Sequence, residues 1–242
     1  VKCENCDFDL AKEFRFCPTC GLPTDERWEK YFFAGVLADF GGDPRGAVEN
    51  YERALAVDPT NAYVLVHLGQ TYYHRGRLDD AIAALERAVA SNPHSAPAHY
   101  FLGLCYYRAA RVEEATACFK RALALEPETE LCYYRLGLLY YHVGKLHDAL
   151  KAYDELLARN AGVTIAYYNR GLAAARLGLK EEAVENFLKV VEKSPTNAQA
   201  HAQLGEAYFA LGDNYRAAEA LKQALELDPE DSKSKALLDL IF

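Results

Sequence analysis

Six glycines stand at an interval of 34 residues: Gly35, Gly69, Gly103, Gly137, Gly171 and Gly205. At a background glycine usage of about 7%, five further glycines in register with the first is roughly a one-in-a-million coincidence. The period therefore belongs to the architecture. Alanine keeps the same beat twelve residues after each glycine, at Ala47, Ala81, Ala115, Ala149, Ala183 and Ala217, and proline keeps it at Pro59, Pro93, Pro127, Pro195 and Pro229. One short unit cannot bury its own apolar face, so such a chain stacks its units, and its 242 residues count repeats rather than independent cores.

With glycine placed at position 8, the units run 28–61, 62–95, 96–129, 130–163, 164–197 and 198–231. Position 7 is Leu in four units (Leu68, Leu102, Leu136, Leu204), and position 11 is Tyr in four (Tyr72, Tyr106, Tyr140, Tyr208). Position 24 is always large and apolar: Tyr51, Leu85, Phe119, Tyr153, Phe187 and Leu221. With Ala at 20 and Pro at 32, residues 28–231 resemble the tetratricopeptide repeat family, a 34-residue helix-turn-helix array. The tryptophan of that pattern at position 4 is replaced throughout, by Tyr31, Leu65, His99, Tyr133, Tyr167 and His201. The resemblance implies an all-α fold, a right-handed superhelical solenoid of six repeats whose work is to hold other proteins.

The beat has a physical basis. Small residues at positions 8 and 20 let helix A approach helix B, while bulk at 4, 7, 11 and 24 fills the space around the crossing. Gly42, Gly76, Gly144, Gly178 and Gly212 at position 15 are placed to end helix A in a left-handed cap. Asn61, Ser95, Thr129, Asn197 and Asp231 at position 34 are expected N-caps. Residues 232–242 read as a capping helix with Leu238 and Phe242 on its covering face, or as the opening of a longer array. The junction leading into repeat 5, Asn160-Ala161-Gly162-Val163, lacks the proline, and repeat 5 puts Arg170 at the Leu site and Ala174 at the Tyr site, which predicts a softer joint between repeats 4 and 5.

Ahead of the repeats, Cys3, Cys6, Cys17 and Cys20 form two CxxC pairs separated by ten residues. That spacing lets two knuckles present four thiolates tetrahedrally to one zinc ion, a structural site with no open position. The run Phe16-Cys17-Pro18-Thr19-Cys20-Gly21 resembles the second half of small zinc ribbons, so the expected order is a ribbon over 1–22, a linker over 23–27 and the array. A disulfide or redox pair is the alternative. Neither CxxC is followed by His, which excludes covalent haem attachment on motif grounds.

The formal charge of −8 argues against a generic nucleic-acid or anionic-membrane surface, which would need clustered Lys and Arg, and fits a cationic partner better. No apolar run reaches the length of about 18 residues that spans a bilayer, and the expectation is a cytoplasmic protein. The scattered histidines and the absence of a Gly-rich phosphate loop point away from an enzyme. Cys105, Cys118 and Cys132 fall within helices and are expected to be buried and inert.

In the tetratricopeptide family, the resemblance implies, helix A lines the inner wall with positions 2, 5, 9, 12 and 13. Those positions hold Tyr63, Tyr73, Tyr100, Tyr107, Tyr134, Tyr141 and Tyr168, an aromatic groove with the composition of protein-binding hot spots. Part of this set is expected to pack against neighbouring helices instead. The clamp that grips chaperone C-termini is missing, since positions 5 and 9 read Val66 and Gln70 in repeat 2 and Tyr100 and Leu104 in repeat 3. The sequence thus points to a scaffold for an apolar or amphipathic protein segment, with self-association and a zinc or redox accessory role as the other readings.

Overall fold

The computed structural model describes residue 9, residues 17–20 and residues 27–242. The expected sites at Cys3 and Cys6 lie outside the described residues. Cys17 is buried, Cys20 is half-buried, and residues 18–20 form a turn. Among the described residues thirteen α-helices follow one another, and the chain divides into two compact units between Pro127 and Glu128.

The first unit holds α1 (Trp28–Phe40), α2 (Pro44–Val57), α3 (Ala62–His74), α4 (Leu78–Ser91), α5 (Ala96–Arg108) and α6 (Val112–Leu125). In the second are α7 (Glu130–His142), α8 (Leu146–Arg159), α9 (Thr164–Leu177), α10 (Lys180–Lys193), α11 (Ala198–Leu211), α12 (Asn214–Leu227) and α13 (Ser232–Ile241). None exceeds 14 residues, a length at which an isolated helix is marginal in water, so packing must hold them. Within each unit every helix packs on its neighbours in the chain, and α3 also meets α5.

The periodic glycine sits where helix A crosses helix B, but its partner is position 24 rather than the alanine at position 20. A Cβ placed on Gly137 would lie 2.5 Å from Cε1 of Tyr153, and one on Gly69 would lie 2.5 Å from Cγ of Leu85. Both side chains are fully buried. The glycine is therefore the socket for the large residue that fills the core of its own repeat.

Helix A ends as expected at position 15, where five glycines carry φ between +74° and +87°. Repeat 3 makes the same turn without glycine, holding Ala110 at φ +57°. In that turn the Arg111 amide donates to the Tyr106 carbonyl at 2.8 Å, one of the two bonds of a Schellman closure. At position 34 the side chains of Asn61, Ser95, Asn197 and Asp231 accept backbone N–H bonds, and Thr129 makes no such bond. His99 and His201, which replace the family tryptophan, put Nε2 at 3.1 Å and 2.9 Å from the carbonyls of Pro93 and Pro195 in the preceding junction. A ring N–H donor does there what bulk does elsewhere.

Two expectations change. The joint between repeats 4 and 5 is tied by Arg170, whose Nε lies 2.7 Å from Asp154 of α8 while its Nη2 lies 3.3 Å from Glu182 of α10. The chain divides one junction earlier, between repeats 3 and 4. At the far end α13 packs on α11 and α12, but Phe242, expected on the covering face, is exposed.

Candidate functional site

Residues spaced three or four apart share one face of a helix, so positions 2, 5, 9, 12 and 13 of each helix A gather in a stripe on one side of it. The seven tyrosines expected on this stripe do not stand alike. Tyr63 is 59% exposed, its ring 5.0 Å from that of Phe32 and 4.9 Å from that of His67. Tyr100 and Tyr168 are half-buried, with rings 6.0 Å and 5.8 Å from the core rings of Phe119 and Phe187. Burial also raises the Tyr168 hydroxyl above its ordinary pKa. These two support the core as well as the surface. Tyr107 and Tyr134 are half-buried, and Asn169 Nδ2 donates to the Tyr134 hydroxyl at 3.4 Å.

Tyr73 and Tyr141 are each closed over by an arginine from the next repeat. The guanidinium of Arg108 lies 4.8 Å above the Tyr73 ring and its Nη1 donates to the Tyr73 carbonyl at 3.2 Å. Arg176 repeats the arrangement on Tyr141, at 4.7 Å and 3.1 Å. Position 12 tyrosine under position 13 arginine is thus an internal clip built on a cation–π contact.

Repeat 1 breaks the pattern. Its position 12 is Asp39, and Asp39 Oδ2 accepts from the Tyr51 hydroxyl at 2.9 Å and from Thr71 Oγ1 at 2.8 Å. Thr71, itself buried, stands at position 10, where repeats 3 to 6 bury Cys105, Leu139, Ala173 and Ala207. Above this pair opens a cleft of about 600 Å³ between α1 and α3, lined by Val36, Phe40, Pro44 and Tyr51 with Asp39, His67 and Gln70 among its polar groups. Asp39 and Thr71 are not among the groove residues expected from the sequence. The available signal was a carboxylate at a tyrosine position paired with a hydroxyl at an apolar one.

Electrostatics in the cleft follow from burial. Desolvation pushes the Tyr51 hydroxyl far up, and its bond to Asp39 adds to the shift. Burial lowers the His67 imidazole below its ordinary pKa, and the Asp39 charge opposes that only in part. Asp39 accepts hydrogen bonds and cannot donate them while ionised, which suits the cleft to a cation or a hydroxyl. Elsewhere burial lifts the thiols of Cys105 and Cys118 to about 12 and about 11, which removes them as nucleophiles at neutral pH. Among the described residues no cluster of three or more His, Cys, Asp or Glu side chains could hold a metal ion, and no helix is long and apolar enough to cross a membrane.

Models of the tetratricopeptide repeat match residues 41–105, 134–198 and 178–241, and the model of anaphase-promoting complex, cyclosome, subunit 3 matches residues 76–156. No match is found among curated proteins. Among solved structures, MamA is 35% identical with a TM-score of 0.65, over 70% of this chain and 92% of that one. YrrB, described as a tetratricopeptide repeat protein with an unusual peptide-binding site, is 24% identical with a TM-score of 0.72, over 78% of this chain and 98% of that one. PilF of Pseudomonas aeruginosa is 19% identical with a TM-score of 0.72, over 88% and 97% of the two chains. The glycine sockets, the left-handed turns and the matched models agree, and the chain belongs to the tetratricopeptide repeat family.

Proposed function

We propose that this protein is a non-enzymatic scaffold or assembly factor that holds an apolar or amphipathic segment of another protein on its helix-A face. The observation that carries the reading is that α3, in the first unit, bears both the exposed ring of Tyr63 and one side of a cleft of about 600 Å³ with Val36, Phe40 and Pro44 in its walls. Exposed Leu131 and Ile165 extend the same chemistry on the second unit. Apolar surface gathered in this way marks interaction sites on soluble proteins, and tyrosine is enriched among the residues that dominate them. The peptide-binding site ascribed to YrrB is consistent with this use of the fold.

A photo-cross-linking residue at position 63 should capture a partner segment, whereas the same residue at Tyr215, exposed on the helix-B face of α12, should not. Equal capture at both positions, or none at 63, overturns the reading. Self-association is favoured by one specific feature, the exposed Leu37 and Phe40 on α1 and the exposed Leu240 and Phe242 at the end of α13. Light scattering that rises with concentration and is lost in Phe40→Ser and Phe242→Ser supports that alternative.

The four-cysteine segment is proposed to hold one structural zinc through Cys3, Cys6, Cys17 and Cys20. Burial of Cys17 beside the turn over 18–20 supports the second knuckle, and four thiolates are a donor set suited to that ion. Metal analysis of protein purified under reducing conditions should find about one zinc per chain, as a closed four-cysteine site requires. A metal-free preparation with intact helices rejects the assignment.

A further inference from the structure

We infer that the cleft between α1 and α3 receives an arginine side chain of the partner segment, with Asp39 as its counter-ion; this rests on the scaffold reading and names what that surface recognises. The fold itself supplies the argument. At two intervals an arginine from position 13 of the next repeat lies over the position-12 tyrosine, Arg108 on Tyr73 and Arg176 on Tyr141. At the interval between repeats 1 and 2, position 13 is His74 and position 12 is Asp39. Here the chain places a carboxylate at the register where it elsewhere accommodates a guanidinium, and it supplies no arginine of its own from position 13.

The surroundings suit that guest. Asp39 makes no ion pair among the described residues, and both of its hydrogen bonds fall on Oδ2, which leaves Oδ1 for a further donor. The hydroxyls of Tyr51 and Thr71 fix the carboxylate, so its orientation is set before a ligand arrives. Val36, Phe40 and Pro44 offer apolar walls for a three-carbon stem, and Phe40, which is 88% exposed, offers a ring for a planar cation. Arg75 and His74 also line the cleft and oppose a cation, but both are exposed, and solvent screens them more than it screens half-buried Asp39. The volume lies within the range of about 300–1,000 Å³ usual for binding clefts. A guanidinium can donate to Oδ1 and stack on the Phe40 ring at once, where an ammonium would satisfy only the charge.

The test uses the full chain and a displayed library of random twelve-residue peptides. Peptides that lose binding to Tyr63→Ala are kept, since these report on the helix-A face. They should share an arginine at a fixed position, and replacing it by citrulline, its neutral isostere, should weaken binding at least tenfold. The same exchange should change binding less than twofold in Asp39→Asn, whose amide oxygen can still accept from Tyr51 and Thr71. Kept peptides that lack a fixed arginine, or that tolerate citrulline on the parent chain, overturn this inference and leave the scaffold reading standing. A library in which every peptide that binds the parent binds Tyr63→Ala and Asp39→Asn as tightly overturns both. The citrulline exchange on the parent chain decides the matter even if Asp39→Asn fails to fold.

Discussion

Repeats 1 and 4 build the same crossing and present opposite surfaces. In repeat 4 the position-12 side chain is Tyr141, covered by Arg176 of the following repeat. In repeat 1 the equivalent side chain is Asp39, which turns to Tyr51 and Thr71 and leaves a cleft above it. Beneath both, glycine at position 8 receives a tyrosine at position 24, Gly35 with Tyr51 and Gly137 with Tyr153. The difference teaches that frame and surface are specified by separate positions. The frame tolerates little variation, because one atom at position 8 collides with the core, whereas position 12 can exchange a closed clip for an open cleft without touching that crossing.

The largest expected effect tests the shared frame. Gly69→Leu in the first unit and Gly137→Leu in the second should each destabilise by about 3 kcal/mol, the upper end of ordinary overpacking costs. The reason is that even a Cβ would sit 2.5 Å from a fully buried side chain. Thermal melts in which either variant matches the parent would break the claim that both units use one socket.

The second effect concerns the surface. Tyr63→Ala should weaken partner binding by about 2 kcal/mol, as expected of a hot-spot aromatic, with the fold intact. Tyr73→Ala and Tyr141→Ala should lose less, since each ring already spends one face on an arginine. Tyr100→Ala and Tyr168→Ala should lower the melting temperature as well, because their rings pack on Phe119 and Phe187. Equal losses at all five positions with unchanged melts would restore an even wall of tyrosines.

How far the sequence could be read follows from the same division. The repeats, the left-handed turns and the family were legible because sterics there admit few residues, so the same residue returns every 34 positions. The surface was not, because which side chains remain open depends on arginines 35 residues further along and on a hydroxyl-to-carboxylate bond between residues 32 apart. Such partners leave no period of their own. Arg170 is a similar case: in the linear pattern it reads as a lost leucine, and in the fold it joins α8 to α10.

That joint carries the third effect. Arg170→Ala should destabilise the second unit by about 1 kcal/mol, the upper range for a partly exposed ion pair, and added salt should shrink the loss. A double-mutant cycle with Asp154→Ala should show coupling between the two positions. Additive losses would return the junction of repeats 4 and 5 to the softer joint that the sequence pattern suggests.

The smallest effect lies at position 15 of repeat 3. Ala110 is held at φ +57° where the other repeats in this turn use glycine. A non-glycine residue in the left-handed region costs about 1–2 kcal/mol, because Cβ approaches the following carbonyl oxygen. Replacing it by glycine removes that strain but loosens the unfolded chain, at about 0.5–1 kcal/mol. The two terms oppose each other, and the strain is the larger. Ala110→Gly should therefore stabilise by about 0.5 kcal/mol, while Gly144→Ala, the reverse exchange at φ +76°, should destabilise by about the same amount. Paired chemical melts of the two variants would measure both signs. If Ala110→Gly instead lowers stability, the turn in repeat 3 is held by something other than its backbone conformation, and the equivalence of position 15 across repeats fails.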